Sequence, residues 1–272
     1  VAELTAVLLS GTMKRLAFIA ALATLGLGAG CKKHTTDAIA VIPKGTTHEF
    51  WKSVHAGAEK ASQELGVAII WKGPLREDDR EDQIKVVENF INMRVKGIVV
   101  APLDDTALVP VVTDAVRGGI PVIAFDSGIK TDQTVSFVAT DNYRGGKLAG
   151  DYLARLVGDK GKVMMLRYAE GSASTAQREQ GFLDAIAAHK GIEVVSSNQY
   201  GGVTTESAFK VSENLLTAHK APDGGLTVQG IFCPNESTAF GMLRALEDDG
   251  FAGKVHFVGF DSSPKLVDAM GR

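Results

Sequence analysis

The sequence predicts an α/β protein of two lobes, each a mostly parallel sheet flanked by helices, joined by a hinge. Three observations predict it. From Asp37 onward, short β-branched runs alternate with amphipathic stretches of helical period. Many strand candidates are continuous apolar runs, such as Gly97-Ile98-Val99-Val100-Ala101, which suits parallel strands covered on both faces. The alternation is also too long for one sheet of ordinary size, with about 105 residues before Asn142 and about 130 after it.

In chain order, the first set of predicted strands is 38–42, 67–71, 97–101, 121–125 and 136–139, and the second is 162–166, 193–197, 230–233 and 256–259. Between them the period predicts helices over 50–65, 83–95, 107–117, 145–157, 176–188, 207–218 and 238–246. The first helix places Val54, Ala58, Ala61 and Leu65 on one stripe, and Gly66 ends it. The second turns Ile84, Val87, Phe90 and Ile91 inward. Right-handed crossovers then give open sheets. With no Pro- or Ser-rich linker between the halves, residues 37–140 form an N-terminal lobe, 141–272 a C-terminal lobe, and the hinge is a tight one near 139–142.

Ahead of the lobes the chain carries an address. Met13-Lys14-Arg15 is basic, residues 16–25 are apolar, and Gly26-Leu27-Gly28-Ala29-Gly30 are small, the layout of a secretory signal. The apolar run, about ten residues, is short for a membrane span. Residues 1–30 thus read as a signal peptide with an upstream extension before Met13, and 31–36 as a polar tether. Cys31, directly after the small residues, resembles the acylated cysteine of bacterial lipoproteins, although Gly28 stands where leucine is usual. The expectation is a membrane-anchored lipoprotein in the periplasm or on the cell surface.

The composition excludes other classes. The 272 residues carry a net charge of −3, with 45% apolar and 22% charged side chains, so no basic surplus points to nucleic acid. Two cysteines build neither a disulfide framework nor a zinc site, and Cys233, in an apolar run, reads as a buried small hydrophobe. No phosphate loop, Gly-x-Ser-x-Gly elbow or metal-spaced histidine pair appears, so no cofactor, metal or catalysis is expected.

Ligands of open α/β sheets gather beyond the carboxyl ends of strands, so polar residues there are the candidates. The first strand runs into Lys44, His48, Phe50 and Trp51. Aromatic faces stack on the C–H faces of a sugar while polar neighbours take its hydroxyls. The fourth ends in Asp126 and Ser127, and an ionised carboxylate accepts from two vicinal hydroxyls at once. In the second half, Arg178 offers a fixed fork of donors near a helix start. Asn235, which both donates and accepts, follows the strand at 230–233. Asp261 follows the last strand.

These segments together resemble the periplasmic sugar-binding proteins of the ribose-binding type. The matching stretches, in order, are Gly66 to Ile70, Gly97 to Pro102, Ile120 to Asp126, Thr140-Asp141-Asn142, Gly145-Gly146-Lys147, Arg178 with Gly181-Phe182, Asn214 to His219, and Val258 to Asp261. The resemblance runs from Asp37 to the end. It implies two Rossmann-like lobes of the type I periplasmic binding protein fold, closing by a hinge on a sugar or sugar-like solute. It further implies delivery to the permease subunits of an ABC importer by a monomer that is not an enzyme. Phe50 and Trp51 would sandwich the ligand, Asp126 would bind paired hydroxyls, Arg178 would contact oxygens, and Asn235 and Asp261 would close the second side. The ribose-type pattern has arginine after the aspartate where Ser127 stands, serine at Lys44 and asparagine at His48, which points away from ribose itself. The Gly73-Pro74 turn and the Asp126-Ser127 pair are similar to relatives that bind the autoinducer-2 furanose or rhamnose. The family continues past Arg272 with another strand, so the resemblance implies an incomplete C-terminal lobe. Two other readings remain: a carbohydrate-active enzyme using Asp126 and Asp261 as acid and base, and a sensor feeding a chemoreceptor. A repressor of the lactose type would need DNA-binding helices where the signal segment stands.

Overall fold

The computed structural model describes residues 36–271. The signal segment, Cys31 and the tether up to Thr35 lie outside the described residues.

The first half holds a five-stranded parallel sheet of order β2-β1-β3-β4-β5. Its strands are β1 (Thr36–Ile42), β2 (Ile69–Trp71), β3 (Val95–Val100), β4 (Val122–Phe125) and β5 (Ser136–Val138), linked through α1 (Glu49–Leu65), α2 (Arg80–Met93) and α3 (Val109–Arg117). The second half holds a four-stranded parallel sheet of order β7-β6-β8-β9. It comprises β6 (Gly161–Arg167), β7 (Ile192–Tyr200), β8 (Gly230–Phe232) and β9 (His256–Val258). Its helices are α4 (Asn142–Leu156), α5 (Ala173–Ala188), α6 (Thr205–Ala218), α7 (Glu236–Asp248) and α8 (Pro264–Met270). Every predicted strand and helix is present. The seven-residue α8, opened by Pro264, has no counterpart among the predicted helices, because under two turns is too short a stretch for the helical period to stand out.

Each sheet has its own core. Ile42, Val87, Phe90, Ile98, Leu108 and Val122 close the first, and Met164, Leu166, Leu216, Ile231 and Met242 lead the second. Cys233 lies fully buried among the latter, where desolvation pushes its thiol far up and leaves it unreactive. The predicted stripe of α1 is corrected in part: Val54 and Ala58 are half-buried, but Ala61 and Leu65 are exposed, and only Trp51 in this helix is fully buried. The reason is that α1 lies over the three-residue edge strand β2, too narrow a surface to cover four helical turns. Gly66 does end this helix, in the left-handed conformation at φ 63°, its N–H donating to the Ser62 carbonyl.

Residues 139–141 carry the chain from β5 to α4, which packs on α5 beside the second sheet. Asp141 starts α4 by accepting the Arg144 N–H at 3.0 Å. The two helices approach backbone to backbone. A Cβ on Gly146 would overlap the Arg178 carbonyl, and one on Gly181 would overlap that of Tyr143. These two glycines are therefore packing residues that seat α5, and with it Arg178, over the cleft.

Candidate functional site

The carboxyl ends of both sheets face one cleft, lined from the first side by Lys44, His48, Phe50, Trp51, Glu77 and Asp126. Tyr168, Ser174, Thr175, Arg178, Asn235, Glu236 and Asp261 line it from the second. The space between them, open solvent included, is about 370 Å³. Of the nine ligand-contact residues expected from the sequence, eight come together here. Ser127 sits just behind, fully buried, its hydroxyl accepting the Ser174 N–H at 3.1 Å.

The aromatic pair divides its work. Trp51 is 3% exposed, stands edge-on to Phe50 and Phe125, and donates its indole N–H to Glu77 at 2.7 Å. Phe50 is the half-buried member, held by its own backbone N–H donating to Glu236 Oε2 across the cleft at 3.1 Å. The stacking surface for a flat ligand is thus chiefly Phe50, and Trp51 is its backing.

Glu77, not anticipated from the sequence, is the hub of the first side. Its Oε1 takes the Trp51 indole and His48 Nδ1, each at 2.7 Å, and its Oε2 takes the Tyr168 hydroxyl of the opposite side at 2.6 Å. Burial alone would raise the Glu77 carboxyl, but the bond and charge of His48, the charge of Lys44 and the Tyr168 hydroxyl bring it below the usual range. The same exchange acts on His48. Burial would lower it, yet the hydrogen bond and charge of Glu77, with Glu236 nearby, hold it above its ordinary value. Burial raises the Tyr168 phenol strongly, and the Glu77 charge adds to that, so it stays a donor.

Two aspartates stand at strand ends in the left-handed conformation, Asp126 at φ 61° after β4 and Asp261 at φ 72° beyond β9. Asp126 Oδ2 pairs with Lys44 Nζ at 3.2 Å. Asp261 Oδ2 accepts the Glu236 N–H at 2.8 Å, and its Oδ1 lies 3.9 Å from Arg178. Burial raises the Asp261 carboxyl, with Arg178 and the Glu236 N–H opposing only in part.

Arg178 is 6% exposed and held on three sides. Its Nε donates to Asn142 Oδ1 and its Nη1 to the Pro234 carbonyl, both at 2.8 Å, and its Cζ lies over the Phe260 ring, 3.8 Å from the ring centre. Burial lowers its pKa, but a guanidinium remains charged. Asn235 caps α7, its Oδ1 accepting from the Thr238 hydroxyl at 2.6 Å and from the Thr238 N–H at 3.3 Å, while Nδ2 donates to Ser237. Its carbonyl side is therefore committed to the helix, and only an amide hydrogen is free to turn to the cleft.

The oxygens left over are mostly carboxylate: one each on Asp126, Asp261 and Glu236. A cleft of acceptors with one fixed guanidinium and one aromatic face suits a hydroxyl-rich solute. Glu77 and Tyr168 escape sequence reasoning, since Glu77 sits in the charged run 76–82, which reads as a solvated loop. The one available signal is its place shortly after a strand end and the Gly73-Pro74 turn.

Comparison with known proteins identifies the family. The profile of the family described as "Periplasmic binding protein domain" matches residues 39–271. The chain belongs to that family. It is 33% identical over 255 residues to the ribose import binding protein of Escherichia coli, covering 93% of this chain and 81% of that one. It is 32% identical to the D-ribose/D-allose-binding protein of Pseudomonas aeruginosa, over 85% of this chain and 73% of that one. Among solved structures, a solute-binding protein of an ABC transporter from Agrobacterium vitis with bound D-fucose superimposes with a TM-score of 0.80 at 35% identity, covering 85% and 79% of the two chains. A carbohydrate transporter solute-binding protein from Agrobacterium radiobacter in complex with D-arabinose gives 0.81 at 31%, covering 86% and 79%. The expected type I periplasmic binding protein fold is the fold of this chain.

Proposed function

We propose that the protein is the sugar-binding component of an ABC importer, that the cleft between the two sheets is its ligand site, and that it binds without turnover. The observation that carries this reading is the convergence of Phe50, Asp126, Arg178 and Asp261 from both sheets on one cleft whose spare oxygens are carboxylate. Such oxygens accept from vicinal hydroxyls, and the Phe50 ring covers an apolar sugar face. The sugars bound by relatives at 31–35% identity support the same class. Ribose itself fits less well, because Ser127 stands where the ribose-type pattern has arginine, and the cation beside Asp126, Lys44, is turned to that carboxylate.

Residues 37–140 and 141–272 act as lobes that close about 139–142. Lys44, His48, Phe50, Trp51, Asp126 and Ser127 belong to the first, and Arg178, Asn235 and Asp261 to the second. The protein works as a monomer docking on the permease, and Cys31 is acylated to tether it to the membrane after the signal segment is removed. A thermal-shift and calorimetric panel of pentoses, hexoses, 6-deoxyhexoses and polyols tests the ligand class. Saturable stabilisation by at least one is expected, and silence across the panel would refute it. Metabolic labelling with an alkyne fatty acid tests the anchor, with Cys31→Ser expected to lose the label.

A further inference from the structure

Lys44 lines the cleft, yet its donors point elsewhere. An ammonium has three N–H bonds. Here Nζ lies 3.2 Å from Asp126 Oδ2 on its own side, 3.2 Å from Ser172 Oγ and 3.1 Å from Ser174 Oγ on the opposite side. The side chain is 4% exposed. Its hydrogen-bonding capacity is therefore filled by protein, with one bond to the first half and two to the second. The same two halves meet again beside it, where the Ser174 N–H donates to the Ser127 hydroxyl at 3.1 Å.

We infer that Lys44 is a positioning residue rather than a ligand contact: its ammonium latches the two halves together where the β1 end meets the start of α5, and it fixes the carboxylate of Asp126 for the ligand. The halves meet at Ser172 and Ser174 through a charge-assisted contact that uses no ligand atom. With Oδ2 held by Lys44, Asp126 presents Oδ1 in one orientation, so a ligand hydroxyl meets an already ordered acceptor. A latch formed only on closure slows ligand escape more than it speeds entry.

Two variants test this from opposite sides: Lys44→Met, which keeps the stem and removes the charge, and Ser172→Ala with Ser174→Ala, which leaves Lys44 and Asp126 intact. The first measurement needs no ligand and so does not depend on the sugar reading. Small-angle scattering of the protein alone should show a larger radius of gyration for both variants than for wild type. The second uses whichever sugar the panel identifies. Stopped-flow binding should show the off-rate raised about 30-fold or more for Lys44→Met, as for truncation of a buried charge pair, with the on-rate altered far less. The serine double variant should move the same rate in the same direction by less. Deoxy analogues of that sugar separate the latch from a direct contact, since a Lys44→Met loss should persist for every analogue, smaller only for the one that lacks the hydroxyl meeting Asp126. A loss that disappears when one particular hydroxyl is missing, or unchanged scattering and off-rate in the serine double variant, would overturn the inference. The serine variant removes only two hydroxyls, so it still decides the matter if Lys44→Met does not fold.

Discussion

The same tripeptide turns twice at the cleft, and its two copies differ in charge environment rather than in shape. Phe125-Asp126-Ser127 ends β4, and Phe260-Asp261-Ser262 follows β9. Both aspartates take the left-handed conformation that this residue tolerates better than most. At the first turn an ammonium stands 3.2 Å from the carboxylate. At the second the nearest cation is 3.9 Å away, and a backbone N–H takes up one oxygen. Burial then raises Asp261, because nothing at that turn compensates it fully. Strand-end geometry is a property of the fold, but the charge state of what it presents is set by neighbours distant in sequence.

Removing each carboxylate should break the symmetry of the two turns. Asp126→Ala takes away a ligand acceptor and also strands Lys44 as an unpaired buried charge, a loss of about 3–5 kcal/mol in such settings. Sugar affinity measured by calorimetry should fall several hundredfold or more. Asp261→Ala removes an acceptor without stranding a tightly paired cation. About 1.5–3 kcal/mol is expected, on the scale of one charged hydrogen bond, or about 10- to 150-fold. Equal losses at the two positions would mean that Lys44 does not distinguish them.

Amide substitutions sharpen the contrast by making stability and binding diverge. The carboxyl of Asp261 is raised in the fold. The stability it contributes is full below its unfolded pKa and is lost as pH rises through the folded value, so at neutral pH the buried charge is a burden. Asp261→Asn, whose side-chain oxygen still accepts the Glu236 N–H, should raise the melting temperature at pH 7 while weakening sugar binding. Asp126→Asn should lower both, because it deprives Lys44 of its counter-charge. For a chain of this size about 1 kcal/mol corresponds to roughly 2–4 °C. Differential scanning calorimetry of the two variants should therefore give shifts of opposite sign.

The two turns are also the most readable part of the site. A carboxylate after an apolar strand is visible in sequence, and so are the strands, whose apolar runs reflect helices on both faces. Arg178 and Asn235 are legible because each starts or follows an element. The pairing is not. Glu77 joins His48, Trp51 and Tyr168, and Tyr168 lies 91 positions away. Such a hub depends on two sheets meeting, and no local pattern encodes that. The exposed far end of the α1 stripe, Ala61 and Leu65, is missed for a similar reason, since periodicity marks a face but not the width of the strand beneath it. Lys44 reads from sequence as a ligand contact because its partners Ser172 and Ser174 lie on the far lobe.

Against both aspartate turns, the His48–Glu77 pair supplies a third arrangement, in which acid and base shift in opposite directions. His48 is raised, so its contribution to stability is full below the unfolded histidine value and fades as pH climbs through the folded one. Glu77 is lowered, so its contribution is present above the unfolded glutamate value and is lost as pH drops through the folded one. The pair is therefore worth most in the mildly acidic window between these limits. His48→Gln keeps a polar partner for Glu77 but cannot carry charge. Thermal melts across pH should show its deficit relative to wild type widest in that window and shrinking toward alkaline pH, the smallest effect of the three. The direction matters, because Asp261→Asn behaves oppositely: the advantage it gains over wild type should grow with rising pH and close on acidification. If both differences ran the same way with pH, local pairing would not be what separates the turns, and the protein's overall charge would have to govern all three sites together.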